Sequence, residues 1–313
     1  MHLPAALTRC RRLGLVVALF AAGPAAAQRP DSVAAPVRNI FGGIEARQPL
    51  DARALLVGNV AAQSILTAGR GLAEGIPSRR LPAVALGGAA AGAGFYAAKR
   101  LVGARQPWAG FALAYASASV AENVAEGGHP LSHVRLGLGP LDVRVATPFA
   151  RDDASGGRIG PGAAFEIEPL SVAAAVVLPL RGFRPRACRA GICYRRDVPE
   201  RVTRGGRRFR RLGRTIGRVV RTWPPFGART EAHEGVHVVQ ALQLQAATPG
   251  GTLRSLAGWT SGAPAVLDVR TDWFSPLAAA AVFSLAPYER VWTEREAFTV
   301  AGSDATPFST AVP

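Results

Sequence analysis

The residue types able to do chemistry in this chain concentrate in one short segment, EAHEGVHVVQ, residues 231–240. It holds two histidines four apart, His233 and His237, with Glu234 directly after the first. The 313-residue chain contains 5 histidines and 21 acidic residues, so His-Glu-x-x-His is expected by accident at below about one in a hundred. On a helix, residues four apart project from one face, which lets both imidazoles converge on a single ion while Glu234 stands beside them without ligating. A zinc ion held by neutral nitrogens and one carboxylate lowers the pKa of water towards neutrality. Glu234 is then placed to take the proton and return it to a leaving amine. The plainer readings are a helix whose histidines only hydrogen-bond, or a metal site without turnover.

Two histidines and a water leave a tetrahedral zinc one ligand short. No histidine follows His237, which excludes the His-x-x-Gly-x-x-His extension of metzincins. The acidic candidates downstream are Asp268, Asp272, Glu289, Glu294 and Glu296. At this point the chain resembles the gluzincin-type metallopeptidases, in which the motif helix is followed by a second helix with a Glu ligand in a Glu-x-x-Ala-Asp pattern. The matching residues are Glu294-Arg295-Glu296-Ala297-Phe298, in a helix expected after Pro287. HEGVHVVQ is also similar to the motif helix of exported bacterial proteins described as metallopeptidases. The resemblance spans about residues 231–301 and implies zinc, a peptide or protein substrate, ligands His233, His237 and Glu294, and Glu234 as base. Phe298 departs from the pattern, standing where such families carry an acid that orients a zinc histidine. Glu296 is the reserve ligand, because it and Glu294 cannot share one helix face.

Other candidates are weaker. His129 and His133, in GGHPLSHVR, are also four apart, but no acid accompanies them and Gly127-Gly128 suggest a loop. Tyr288, Trp259, Trp273 and Trp292 read as packing residues. Cys188 and Cys193, in RACRAGICYRR, are expected to close a disulfide. No histidine lies near them and their spacing is not Cys-x-x-Cys.

The elements that must position this chemistry follow from pattern and composition. With 49% hydrophobic and 19% charged residues, the chain is too apolar to be disordered. Its formal charge of +16 comes from 37 cations, of which only Lys99 is lysine, so the basicity reflects arginine bias more than a nucleic-acid site. Residues 1–27 read as a signal peptide: Arg9, Arg11 and Arg12 precede an apolar run from Leu13 to Gly23 and a small-residue cleavage site at 24–27. Cys10 leaves with that leader. Residues 28–50 read as a linker. From 51 to 127 an Ala/Gly-rich helical region is expected, with helices near 51–71, 82–102 and 108–124. The apolar stretch Leu81–Ala97 lies at the low edge of a bilayer span, so packing in solution or on a surface is expected over insertion. Gly88 and Gly92 share a spacing that this composition yields by chance.

Residues 128–222 are expected to be β-rich. VRLGLGPLDVRVA alternates around a Gly-Pro turn, and AFEIEPLSVAAAVVLPL reads as two further strands. The segment 201–222 holds nine arginines. It reads as a solvated hairpin, or as a patch for phosphate groups of lipopolysaccharide or anionic lipid. Phe209 is its only aromatic residue, too little for base stacking, so no nucleic acid is expected. Residues 223–313 carry the metal-site region. The whole is expected to be α+β: N-terminal helices, a central antiparallel sheet and a C-terminal, zincin-like helix pair. Two functions are consistent with this: an exported zinc metallopeptidase of the periplasm or cell envelope, and a non-catalytic envelope protein on an anionic membrane surface with a structural or inactive metal site.

Overall fold

The computed structural model describes residues 50–138, 140–152, 163–188, 191–198, 200–204, 207–224, 227–248, 270–271, 292–302 and 308–310. The expected leader, nearly all of the linker, Asp268, Asp272, Glu289, Tyr288, Trp259 and Trp273 lie outside the described residues, as does the side chain of Trp292. Among the described residues the protein combines helices with three small sheets in a mixed α+β architecture.

Three helices form the N-terminal part: α1 (Ala52–Ala73), α2 (Leu81–Gly103) and α3 (Pro107–Ala125). Each start has a local cause. The Asp51 side chain accepts from the Arg53 N–H at 3.2 Å, and proline stands at the opening of α2 and of α3, where a missing N–H costs no helical hydrogen bond. The helices run antiparallel in sequence order and pack at backbone distance. A Cβ on Gly88 would lie 2.8 Å from the Gln63 carbonyl oxygen, and one on Gly92 would lie 2.5 Å from that of Asn59. The spacing of these two glycines is therefore a packing device, although composition alone would produce it.

The core joins α2 and α3 to two later helices, α5 (Ala228–Ala247) and α6 (Trp292–Ala301). Phe95 and Val102 of α2, Ala114 and Ala118 of α3, Val236, Val239 and Leu242 of α5 and Ala297 of α6 are all buried together. Alanine dominates on the α3 side, which lets helices approach closely around the larger residues of α5.

Strands β1 (His133–Leu138) and β2 (Leu141–Ala146) form the expected hairpin, with Leu138 opposite Leu141 across the turn. β3 (Ala163–Ile167) adds antiparallel to β2, and the short β10 (Arg270–Thr271) adds parallel to β3. The second strand expected from AFEIEPLSVAAAVVLPL is instead helix α4 (Pro169–Leu180). Glu168 explains the difference: its carboxylate accepts from the backbone N–H groups of Leu170 and Ser171 at 3.1 and 2.6 Å. With Pro169 in the first turn, this cap nucleates a helix that buries Ala174 and Leu178, one turn apart.

A second sheet runs β4 (Arg184–Cys188), β5 (Gly191–Arg195), β9 (Val219–Thr222), β8 (Gly213–Ile216), and a third contains β6 (Glu200–Arg204), β7 (Arg207–Arg211) and β11 (Phe308–Thr310). The single central antiparallel sheet expected from alternation is thus three sheets, and β5 pairs with β9 in parallel. Parallel partners need a long connection, and residues 196–218 supply one that itself forms β6, β7 and β8; side-chain alternation carries no information about strand direction. Cys188 and Cys193 are joined as expected, across the β4–β5 hairpin. Of the nine arginines in 201–222, Arg218 is buried, against the solvated reading, and donates to Asp142 and to the Tyr115 hydroxyl.

Gly92→Ala tests the helix packing. Helix propensity alone favours alanine by about 1 kcal/mol, whereas the backbone approach at Gly92 predicts a net loss of about 1–3 kcal/mol in urea unfolding. Unchanged or raised stability would refute the close approach.

Candidate metal centre

Helix α5 carries His233, Glu234 and His237, and α6 carries Glu294. The strand β9 leads into α5, and burial of Val236, Val239 and Leu242 against α2 and α3 fixes its rotation. That rotation turns His233 and His237 towards α6. Their Nε2 atoms stand 3.1 Å apart, and Glu294 Oε2 lies 3.5 Å from the first and 3.4 Å from the second. The three side chains form the one cluster of potential metal ligands found among the described residues.

Two features suit this cluster to holding an ion. Ligand atoms about 2.1 Å from a tetrahedral ion stand about 3.4 Å from one another, which matches the three separations. Glu294 Oε2 is also buried without a hydrogen-bond partner, although a buried carboxylate oxygen normally has one. The donor set of two imidazole nitrogens and one carboxylate oxygen suits zinc.

Burial opposes charge on both His237 and Glu294, yet each overcomes that cost through the other. His237 is pushed up to about 9 by the Glu294 carboxylate, with a smaller push from Glu234. The imidazoles hold Glu294 far below the usual carboxylate range. Without metal, the pair keeps a proton at neutral pH, and a cation must displace it.

The shell around the ligands was not legible in the motif. Gln240, one turn after His237, donates through Nε2 to the Thr293 carbonyl oxygen at 2.9 Å and to Glu296 Oε2 at 2.8 Å. This orients its Oε1 towards His237 Nδ1, 2.7 Å away. The Nδ1 proton is thereby fixed, leaving the Nε2 lone pair for the site. Glu296, the reserve ligand expected from the sequence, instead faces away from the imidazoles. Its Oε1 accepts from Asn59 at 2.6 Å and its Oε2 from Lys99 at 2.7 Å. Lys99 Nζ donates also to Asn59 Oδ1 and Gln243 Oε1, each at 2.7 Å. The chain's sole lysine thus meets three acceptors with three donors, a tetrahedral match that a planar guanidinium does not offer. The available signal was compositional: a single lysine among 37 cations.

Phe298 stands where the resemblance leads one to expect an orienting acid. Its ring packs 4.6 Å from that of His233, and His233 Nδ1 is buried with no hydrogen-bond partner. His233 is therefore held by packing and His237 by a hydrogen bond. Glu234 is buried beside them. Its Oε2 accepts from the Thr215 hydroxyl at 2.6 Å, and its side chain lies over Gly213, where a Cβ would come within 2.7 Å of Oε1. Both residues belong to β8.

The second histidine pair does not form a comparable site. His129 stacks on Phe149 at 4.8 Å and its Nδ1 accepts from the Leu131 N–H. His133 is buried in β1, where its carbonyl accepts from Asn123.

Two outcomes are expected. Gln240→Ala should weaken zinc binding about 10–100-fold in chelator competition with the fold intact; unchanged affinity would remove Gln240 from the site's support. In chelator-treated protein, the contribution of His237 to stability is complete below its ordinary 6.5 and falls as pH rises through about 9, while that of Glu294 falls as pH drops below 4.5. Urea unfolding of the metal-free protein should therefore show stability declining between pH 6.5 and 9, whereas zinc affinity rises over the same interval. Comparison of the chain with protein-family models, with curated proteins and with solved structures finds no match.

Proposed function

We propose that the protein is a zinc-dependent metallopeptidase, with His233, His237 and Glu294 as ligands and Glu234 as general base. The observation that carries this reading is the spacing of two imidazole nitrogens and one carboxylate oxygen, 3.1–3.5 Å apart, with the carboxylate oxygen buried and not hydrogen-bonded. A bound zinc supplies Lewis-acid polarisation of a carbonyl oxygen and makes water acidic enough to react near neutral pH.

The chain's own groups do the rest. Thr215 holds Glu234 Oε2, which leaves Oε1 to accept a proton from water and pass it to the departing amine. Gln240 keeps the His237 proton on Nδ1. Strand β8 lies at the end of its sheet and holds Glu234 through Thr215, so an extended peptide pairing with β8 would run beside the base. The pair α5 and α6, with a Glu ligand on the second helix, is the part that resembles gluzincins. The leader-like residues 1–27 and the Cys188–Cys193 disulfide favour an exported protein of the periplasm or cell envelope.

The decisive comparison is between wild type, His233→Ala and Glu234→Gln, purified without chelator and assayed on a broad peptide library. Wild type should hold close to one zinc per chain and His233→Ala much less. Glu234→Gln should keep its metal and lose about 10²–10⁴-fold in turnover. Full activity in Glu234→Gln, or wild-type protein without metal, would overturn the assignment.

A further inference from the structure

In the N-terminal helical layer, the inner side mixes polar side chains with the apolar core, while the outer side is apolar between its ends. On α1 the buried residues include Asn59, Gln63, Thr67 and Arg70, which recur at helical spacing along one stripe. The opposite stripe leaves Val57, Ile65 and Leu72 exposed, with Val57 at 64%. On α2, Lys99 is buried and Leu86 is 73% exposed. On α3, Ser117, Ser119, Glu122 and Asn123 are buried, and its exposed positions are Trp108, Ala109, Ala112 and Ala116. A water-facing helix has the reverse pattern.

The β1–β2 hairpin repeats the inversion. Arg135, Asp142 and Arg144 face inward, Arg135 donating to Asp142 and to Glu122 of α3 and Arg144 to Glu126 just past its end, while Val134, Leu136, Leu141 and Val145 are exposed. β1 runs alongside α3, with the Arg135 N–H donating to Ser119 Oγ. Its outward side chains therefore extend the apolar face of the helices.

The face has charged ends. Between Arg53 and Glu74 on α1, and between Arg80 and Lys99 on α2, every residue except the buried Arg70 is uncharged. These stretches of 20 and 18 residues are about 30 and 27 Å long. Because the helices alternate in direction, Arg53, Arg100 and Arg105 lie with the exposed Trp108 at one end, and Arg79 and Arg80 at the other. Arginine and tryptophan bordering an apolar band match the phosphates and the interfacial zone of a bilayer.

We propose that this outer face of α1, α2, α3 and the β1–β2 hairpin is seated in the acyl layer of an anionic lipid bilayer. The segment Ser78–Gly103 is long and apolar enough to cross a membrane by length and composition. A seat on one leaflet is favoured because α5 packs on the inner side of the helical layer, and beyond it lies the sheet with exposed Arg184, Arg186 and Arg214, charges that lipid on all sides would not accept. The metal reading plays no part in this inference.

The test uses the full chain with Cys10→Ser, in which the Cys188–Cys193 disulfide leaves no free thiol. An environment-sensitive fluorophore is attached at Ile65→Cys, Leu86→Cys or, on the far side, Arg184→Cys. With vesicles of mixed phosphatidylcholine and phosphatidylglycerol, labels at 65 and 86 should shift to the blue, be quenched by lipid-borne doxyl groups, and lose about tenfold in quenching by aqueous iodide. The label at 184 should stay accessible to iodide. Labels at 65 and 86 that remain open to iodide in the presence of vesicles would overturn the proposal. So would shielding that appears without lipid and grows with protein concentration, which would identify a second copy of the chain as the occupant.

Discussion

The buried contact of Lys99 with Glu296 is the interaction on which the arrangement of the metal centre depends. It ties α2 to α6, and its neighbours Asn59, Gln240 and Gln243 bring in α1 and α5. Removing two charges from water is costly, and the cost is recovered only when every donor and acceptor is matched. Here Lys99 has three acceptors and Glu296 three donors, so the geometry permits little slack. The position of α6 relative to α5, and with it the reach of Glu294 to the imidazoles, follows from this cross-link together with the apolar contacts of Ala297.

The same network connects the body of the protein to the tautomer of one imidazole, that of His237. Glu296 fixes Gln240, and Gln240 fixes the Nδ1 proton of His237. His233 has a different support, the ring of Phe298. A hydrogen bond to an imidazole raises its basicity and restrains its rotation, whereas an aromatic neighbour restrains it only by shape. The two histidines of one motif are therefore held unequally, and the inequality originates outside the motif. Glu234 has its own anchor in β8, so it and the His233–His237–Glu294 cluster are positioned by separate layers of the fold.

Polar pairing is also what allows the N-terminal layer to be inverted. Arg70, Arg135, Arg144 and Arg218 are each paired with Glu122, Glu126 or Asp142, so the interior holds charge beside its apolar core, and further apolar residues cover the exterior. Close glycine contacts between α1 and α2 remove the need for a large apolar seam between them. A layer built this way has little reason to be stable with its outer face in water, since exposed apolar surface of this extent normally marks a contact.

The sequence alone made legible the three N-terminal helices to within one or two residues, the hairpin across the Gly-Pro turn, the disulfide, and the place of His233, Glu234 and His237 on one helix. These depend on local period, caps and turn chemistry. It also narrowed the third ligand to Glu294 or Glu296, through a resemblance and the rule that residues two apart leave a helix on different faces. Which of the two carboxylates stands beside the imidazoles is a tertiary matter, because it depends on which one Lys99 captures from a helix almost two hundred residues away. The same holds for the parallel pairing of β5 with β9, for α4 in place of a strand, and for the partners Gln240 and Thr215. Each depends on what a side chain meets across space, and one-dimensional periodicity records only which way it points.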